Sequence, residues 1–426
     1  MDSTVLQPNP WMIAPFGVLL AAIAVGPVLF PGWWLKHYAK AAFGLGAVTL
    51  TYYVFGLQAY GRVLDAAHEY ASFIALMGSL FVVSGGIHIQ VKGEATPLTN
   101  VLFLLVGALL ANLLGTVGAS LLLIRPWLRF NDRRLRSHHA VFFIFIVSNV
   151  GGCLTAFGNP PLYLGCLMGV PFWWVAEHCW PMWLCGVAFL LVVFYFVDRR
   201  SCRLAPPLPP PGSPGVWRVE GLWNLFFLAV ILAAVFASRP LFLREGLMLA
   251  AAVASYFSTA QWVHKANRFD FHPIREVAVL FLGIFATMMP ALDWLQANAR
   301  AVLGADPSPV LVYWASGTLS SVLDNAPTYL SVLTALFGTQ GQTLGHPVEM
   351  DRILAQGPLN HSLAALSIAA VFFGGCTYIG NGPNFMVKAI AERQRLPLPS
   401  FMGYIFKWTM PVMLPLLVIV WLIFFR

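Results

Sequence analysis

The sequence predicts an all-α integral membrane protein with ten transmembrane helices and two re-entrant hairpins. We expect two inverted-topology repeats, with two broken helices at the midplane. Of the 426 residues, 59% are hydrophobic and 10% are charged, and the mean hydropathy is +0.74. So few polar side chains cannot cover a soluble protein of this size. Apolar runs recur along the chain, and one motif containing glycine and proline occurs once in each half.

Ten apolar segments are long enough to cross a bilayer, which takes about 20 helical residues. In the first half they lie near residues 11–30, 41–60, 70–91, 138–168 and 173–197. In the second half they lie near residues 222–238, 246–263, 276–297, 360–393 and 404–425. Two further segments, about 97–124 and 308–336, are apolar at both ends but carry Gly, Asn, Ser, Thr or Pro in the middle. Because such interruptions survive at membrane depth only against protein or water, both segments are predicted to be re-entrant hairpins.

The order of the segments predicts two repeats, residues 1–200 and 221–426, joined by a proline-rich cytoplasmic linker at 201–220. Each repeat has five crossings, an odd number, so the second repeat is inverted relative to the first. With the N-terminus outside, 18 of the 25 Lys and Arg residues fall on the cytoplasmic side, six fall outside, and Lys388 lies within a span. Basic residues concentrate in cytoplasmic loops. We therefore expect a multi-pass protein of the bacterial inner membrane with both termini in the periplasm.

Several classes of function are disfavoured. The net charge of +8 could attract nucleic acid, but the basic residues lie in short loops and form no continuous face. The six cysteines lack metal-ligand spacing. The sequence has no GxSxG, no HExxH and no matched pair of intramembrane aspartates, so an enzyme is not expected. A channel is also disfavoured, because it would need a symmetric, lined pore rather than an occluded, asymmetric site.

A short motif recurs about half a chain length apart. Residues 151–161 read GGCLTAFGNPP, and residues 374–383 read GGCTYIGNGP, with one residue deleted. Glycine and proline break a helix and leave two half-helices whose free backbone groups point at one place. Kinks for packing are common in membranes, but matched breaks in two halves are typical of a transporter site. We therefore predict broken helices at about 138–168 and 360–393.

Three segments, residues 148–161, 323–328 and 377–384, resemble the ion transporter superfamily. The NhaD-type sodium/proton antiporters and the citrate-transporter-like (CitMHS-like) proteins are the most similar branches, and the resemblance covers nearly the whole chain. It implies an elevator-type mechanism, in which a transport domain with both hairpins and both broken helices moves against a scaffold domain. The scaffold usually dimerises, so we expect a homodimer. Asn159 departs from the pattern, because many relatives have an acid there in a GDPP motif.

Asp324 is the strongest candidate for the ion-binding residue. It lies at the predicted tip of the second hairpin, and no Lys or Arg occurs between Arg300 and Arg352. A carboxylate at the bilayer centre costs roughly 2.5 to 3.5 kcal/mol and is tolerated only with a partner, such as a proton or a hard cation. Nearby oxygens are offered by Ser320, Ser321, Asn325 and Thr328. The alternative is an aspartate that ties the hairpin together through hydrogen bonds.

By analogy with the family, neutral oxygens complete the site, since the tip of the first hairpin (115–120) has no acid. The resemblance implies one cation bound by the first-half residues Thr116, Ser120, Ser148, Asn149 and Thr155. It implies a pseudo-symmetric site formed by Ser320, Asp324, Asn325, Thr377 and Asn381. Asn159 and Asn384 join the candidate ligands, and Na⁺ is expected at Asp324, Asn325, Asn381 and Asn149. Serine and threonine in membrane helices often bond their own backbone, which is the alternative for each hydroxyl.

Lys388 is the candidate anion-binding or counter-ion residue. It lies six residues beyond Gly382, about 9 Å along a helix. Glu392 follows at i+4, and the spacing favours an ion pair between the two residues.

These features predict a secondary active transporter that needs no cofactor beyond its coupling ion, Na⁺ and/or H⁺. Its partners are the lipid bilayer and a small ion or small carboxylate. Sodium/proton antiport ranks first, because a site that holds Na⁺ or H⁺ but not both exchanges them when it faces each side in turn. The alternative is Na⁺- or H⁺-coupled symport of citrate or another small carboxylate, bound by Lys388 and the half-helix N-termini. The absence of arginine near the breaks argues against a multiply charged anion.

Overall fold

The computed structural model describes residues 6–90, 95–203, 218–237, 242–304, 306–340, 354, 357 and 359–426, and these residues are mainly helical. The first-half helices are α1 (Ala14–Leu29), α2 (Pro31–Thr51), α3 (Tyr60–Gly85), α4 (Pro97–Phe130), α5 (Ser137–Ile146), α6 (Pro160–Leu167) and α7 (Trp174–Arg203). The second-half helices are α8 (Asn224–Ala234), α9 (Leu243–Ser258), α10 (Gln261–Ala266), α11 (His272–Leu303), α12 (Pro309–Val322), α13 (Asn325–Gly338), α14 (Asn360–Phe373), α15 (Gly382–Arg393) and α16 (Phe401–Phe424). Their order follows the predicted order of spans and interrupted segments.

The described helices have the length and surface of membrane-spanning helices. Six segments are long and apolar enough to cross a bilayer: Pro10–Pro27, Tyr60–Gly85, Pro97–Phe130, Trp174–Arg203, His272–Leu303 and Phe401–Phe424. Large apolar side chains face outward, including Phe55 at 77%, Trp223 at 81% and Phe257 at 80% exposure. An apolar exterior suits lipid rather than water. The chain is a multi-pass α-helical membrane protein, while the count of ten spans stays a prediction.

Helix α4 is folded back on itself at Gly115, where the backbone leaves the helical region (φ 72°, ψ 157°). Asn100 Nδ2 donates to Asn131 Oδ1 at 2.8 Å, and the rings of Phe103 and Trp127 lie 5.1 Å apart. A straight helix would separate residues 31 positions apart by about 46 Å. The two arms are therefore antiparallel, and we call α4 hairpin 1.

Hairpin 2 consists of α12 and α13, which contact each other. The first arm ends at Val322 and the second begins at Asn325, so Leu323 and Asp324 form the turn. The predicted interruptions at 97–124 and 308–336 are thus turns between packed arms. Re-entrant placement of both hairpins in the bilayer stays a prediction.

Both predicted broken helices are interrupted by non-helical backbone. Helix α5 is followed by a 3-10 turn at Val150–Gly152, and helix resumes with α6. Helix α14 is followed by a 3-10 turn at Gly374–Cys376, and helix resumes with α15. Proline lies in the first turn of both α6 and α15, where its missing N–H costs no helical hydrogen bond.

A short antiparallel strand pair was not predicted. Strand β1 (His88–Gln90) pairs with β2 (Arg218–Glu220), with Ile89 opposite Val219. It joins the chain after α3 to the chain before α8, so an extended segment at the end of the linker gains backbone partners. Most of the predicted linker, residues 204–217, lies outside the described residues.

We divide the helices into two groups, which contact each other extensively through α11 and α13. One group, called the α3–α11 group, contains α1, α2, α3, α8, α9 and α11. The other, called the hairpin group, contains both hairpins, both broken helices, α7 and α16. The main contacts between the groups are those of α3 with hairpin 1 and of α11 with α13. This boundary is where the candidate site lies.

Candidate functional site

A threonine holds the unwound segment of the first broken helix against hairpin 1. Thr155 Oγ1 donates to the Asn112 carbonyl at 2.5 Å and accepts from the Gly158 N–H at 3.1 Å. The Gly158 carbonyl accepts from the Thr116 N–H, at the tip of the hairpin, at 2.8 Å. A Cβ at Gly158 would lie 2.2 Å from the Gly152 carbonyl oxygen. The segment is therefore closed so tightly that it requires glycine.

The second broken helix has the same arrangement. Thr377 Oγ1 donates to the Ser321 carbonyl at 2.6 Å and accepts from the Gly380 N–H at 3.1 Å. A Cβ at Gly380 would lie 2.7 Å from the carbonyl oxygens of both Gly374 and Ser320. Each unwound segment is thus bound to the hairpin of its own half. The hydroxyls of both threonines form hydrogen bonds with backbone groups, as serine and threonine in membrane helices often do.

Buried asparagines join the two halves. Asn149 Nδ2 donates to Asn384 Oδ1 at 2.7 Å, and Asn381 Nδ2 donates to Asn149 Oδ1 at 3.1 Å. Asn325 Nδ2 donates to Asn159 Oδ1 at 3.1 Å. All five residues are at most 1% exposed. The two breaks are therefore parts of one polar cluster.

Three buried polar atoms of this region have no hydrogen-bond partner among the described residues: Thr116 Oγ1, Asn159 Nδ2 and Asn325 Oδ1. Buried polar groups are nearly always paired, and a group left over points to bound water, an ion or a functional role. Two of the three are oxygens, which are the ligands that hard cations such as Na⁺ prefer.

A cavity of ≈ 30 Å³ lies where the breaks meet the boundary between the two groups. Asp324 and Asn381 line it, together with Pro160 at the start of α6 and Pro383 at the start of α15. This volume has room for about two water molecules. The cavity therefore connects the turn of hairpin 2 with the start of the second half of each broken helix.

The wall supplied by the α3–α11 group is apolar. It consists of Phe73, Met77 and Phe81 from α3 and of Pro273, Ile274, Val277 and Phe281 from α11. All polar side chains at the cavity come from the hairpin group, so an ion held there would have ligands on one side of the boundary alone.

Asp324 is the carboxylate at this cavity. Its Oδ1 accepts from the Ala326 N–H at 3.1 Å, so it caps the N-terminus of α13. Its side chain is partly exposed toward the cavity. Within the described parts of the chain, no Lys, Arg or His lies within ion-pair distance of it. The helix N-terminus favours a negative charge, and the cavity leaves room for a small cation or a proton beside it.

The other predicted ligands divide into two classes. The hydroxyls of Ser120, in hairpin 1, and Ser148, just after α5, are 2.7 Å apart and buried. The hydroxyls of Ser320, Ser321 and Thr328 donate to the carbonyls of Ala370, Thr318 and Asp324, respectively. The hydroxyls of Ser320, Ser321 and Thr328 therefore stabilise backbone and keep only their lone pairs for a ligand, whereas those of Ser120 and Ser148 bond each other.

Lys388 does not line the cavity. Its Nζ lies 3.4 Å from Glu392 Oε1 and 5.2 Å from the centre of the Tyr378 ring. The ion pair that the i+4 spacing favours is therefore confirmed.

Sequence reasoning missed a buried ionic cluster at the base of hairpin 1. Arg134 binds both carboxylate oxygens of Asp198, at 3.1 and 2.9 Å. His138 Nε2 and His139 Nε2 lie 3.1 and 3.3 Å from Asp198 Oδ1. The three His and Asp residues are close enough to hold a metal, but the guanidinium occupies the carboxylate, so the cluster is an ion-pair network. The charged residues that follow hairpin 1 and those at the end of α7 were the sequence feature that could have indicated this cluster.

Comparison with known proteins agrees with this architecture. A family model described as "Putative citrate transport" matches residues 6–425. Uncharacterized transporters of Mycobacterium tuberculosis and Mycobacterium bovis are each 23% identical over an alignment of 335 residues, and the match covers 72% of this chain and 72% of each relative. The predicted resemblance to citrate-transporter-like proteins is confirmed. The chain belongs to this citrate-transport family of the ion transporter superfamily, and it is a membrane transporter.

Proposed function

We propose that this protein is a cation-coupled secondary transporter in which Asp324 binds Na⁺ or H⁺ in turn, so that its basic activity is sodium/proton antiport. The observation that carries this proposal is a carboxylate facing a cavity between two broken helices, without a basic partner among the described residues. A charge at membrane depth is costly unless it is compensated. A proton or a small cation compensates it and fits a cavity of ≈ 30 Å³.

The oxygens around Asp324 suit Na⁺. Asn325 Oδ1 is buried and unpaired in the described structure, and Asn381 lines the same cavity. We assign Na⁺ to Asp324, Asn325 and Asn381, with Asn149 supporting Asn381 through its 3.1 Å hydrogen bond. On the first-half side, Thr116 Oγ1 is also unpaired. With Ser120, Ser148, Asn149 and Thr155 it forms the candidate second, neutral site.

The division of the fold into two groups supports an elevator mechanism. The hairpin group carries the polar residues of the cavity, whereas the α3–α11 group offers an apolar wall. An apolar wall makes no specific bond to the ion, so the hairpin group can slide along it with its ligands unchanged. In this proposal the α3–α11 group is the scaffold, and two scaffolds form a homodimer in the bilayer.

The second candidate is Na⁺- or H⁺-coupled symport of citrate or another small carboxylate, which the description of the matched family favours. The starts of α6 and α15 at the cavity would offer positive helix ends to the anion. Two features disfavour this candidate in the described conformation. The cavity holds about two waters, and Lys388 is paired with Glu392.

A flux panel in proteoliposomes separates the two candidates. We expect Na⁺ added outside the vesicles to enter in exchange for H⁺, so that the lumen becomes more alkaline. A trapped pH dye reads this change, and no carboxylate is added. Uptake of radiolabelled citrate and dicarboxylates under inward Na⁺ and H⁺ gradients is measured in the same vesicles. Carboxylate uptake together with an absent Na⁺-driven pH change would overturn antiport and establish symport.

Orientation can be tested with a native cysteine. Cys202 is exposed at the end of α7, whereas the other five cysteines are buried or half-buried. Because both termini are proposed to be periplasmic, Cys202 lies on the cytoplasmic side. A membrane-impermeant maleimide should label inside-out vesicles and leave intact spheroplasts unlabelled. Cys202→Ser is the control that should abolish the signal, and labelling of spheroplasts at Cys202 would reverse the topology.

A further inference from the structure

Four arginines come together at the end of hairpin 1 that lies away from its tip. Val117 and Leu121, on the second arm, pack against the same buried cluster (Phe81, Val82 and Ala252) as Phe269 and Ile274. Arg125 is the next residue on the same helix face, since residues four apart lie above one another. It therefore reaches the segment between α10 and α11, which carries Arg268.

Two more arginines complete this cluster. Arg129 follows Arg125 by one turn on the same arm, and Arg393 ends α15, which packs against hairpin 1. Arg129, Arg268 and Arg393 all lie close enough to Arg125 to interact with its charge. Arg125 is half-buried, and the other three are exposed. We call these four residues the arginine cluster.

The members of the arginine cluster are not ion-paired with acidic residues in the described structure. Like charges held together repel one another, and burial of Arg125 reduces the screening by water. An anion placed between the four guanidinium groups would remove this repulsion, and guanidinium groups suit the oxygens of a phosphate.

The surface beside the cluster is apolar and aromatic. Tyr256 and Phe271 pack around Phe269, with ring centroids 6.0 and 5.0 Å from it. Phe257, whose ring lies 5.5 Å from that of Tyr256, is 80% exposed, and Trp262, at the start of α10, is 48% exposed. Aromatic side chains of this kind are enriched at the membrane interface. A ligand with a phosphate and an acyl chain would therefore satisfy both the cluster and the surface next to it.

We propose that the arginine cluster binds the headgroup phosphate of an acidic phospholipid at the cytoplasmic interface, with the acyl chains on the aromatic surface formed by Tyr256, Phe257, Trp262 and Phe271. Arg125, Arg129 and Arg393 belong to the hairpin group, and Arg268 lies between α10 and α11. The lipid therefore bridges the boundary between the groups. Its effect on transport rests on the proposed elevator movement, whereas binding itself does not.

Binding is measured by native mass spectrometry of protein taken from vesicles of phosphatidylcholine mixed with phosphatidylglycerol. We expect retention of phosphatidylglycerol by the native protein, weakened roughly fivefold for each guanidinium that is removed. Arg125→Gln with Arg268→Gln should thus weaken retention about 25-fold. The matched control is Lys36→Gln with Lys40→Gln, which removes two exposed cations from α2 and should leave retention unchanged. Arg393→Gln, at an exposed position, gives the same test if the double variant does not fold.

Two results would overturn the proposal. Equal retention by the arginine and lysine variants would show that the cluster holds no lipid. Displacement of phosphatidylglycerol by millimolar inorganic phosphate or citrate would show that the cluster is a site for soluble anions. A changed lipid retention with unchanged transport would leave the lipid site standing and argue against the elevator movement instead.

Discussion

Replacing Asp324 by asparagine is expected to abolish Na⁺/H⁺ exchange while leaving the protein folded. The change removes the charge but keeps the cap on α13, since Asn and Asp serve equally well at this position. A unit charge acting on a cation 4 Å away contributes about 4 kcal/mol at an effective dielectric constant of about 20. Loss of that attraction corresponds to more than about 100-fold in ion affinity. The measurement is the initial rate of Na⁺-driven pH change in proteoliposomes.

Asp270→Asn is the matched control for this variant. Asp270 Oδ1 accepts the His272 N–H at 3.2 Å near the start of α11, the same kind of contact that Asp324 makes, but Asp270 is exposed and is not one of the residues that line the cavity. Its exchange rate should equal that of the native protein. Exchange at the native rate in Asp324→Asn would show that Asp324 is a helix cap and no ion ligand.

The features that depend on local chain chemistry were predictable. Gly115 forms the turn of hairpin 1, since its φ of 72° is a conformation that glycine adopts easily and other residues rarely adopt. The glycines and prolines of 151–161 and 374–383 likewise break the two helices where the repeat places them. Asp324 was identified because a carboxylate in an apolar hairpin requires an explanation, and it does face a cavity.

Hydrogen bonds between residues far apart in the chain could not be predicted from a single sequence. Asn149 bonds Asn384, which is 235 positions away, and Asn159 accepts from Asn325, which is 166 positions away. Their polarity marked them as candidates, but nothing local assigns one carboxamide to another. Helix α2 begins at Pro31, ten residues before the predicted span. The span was predicted to begin too late because Lys36, His37 and Lys40 lower the hydropathy of the first turns of this helix.

The unwound segments should be rigid parts of the site, and glycine variants measure this rigidity. Gly158→Ala places a Cβ 2.2 Å from the Gly152 carbonyl oxygen, so the two ends of the first unwound segment must separate. Overpacking typically costs about 1 to 3 kcal/mol. Because the Gly158 carbonyl also holds the tip of hairpin 1 through the Thr116 N–H, we expect at least a ~10-fold loss of exchange together with a lower melting temperature.

A series of glycine-to-alanine variants with graded steric overlap separates rigidity of the unwound segments from a general loss of stability. Gly380→Ala meets two carbonyl oxygens at 2.7 Å and should be damaging to a smaller degree than Gly158→Ala. Gly17→Ala meets nothing within 4 Å in α1, and it should be neutral or stabilising by up to about 1 kcal/mol, since alanine is the better helix former. If Gly158→Ala exchanged ions as fast as Gly17→Ala, the unwound backbone would yield easily to a side chain. Such a loose segment could not hold Asn159 against Asn325, and the two breaks could not act as one site.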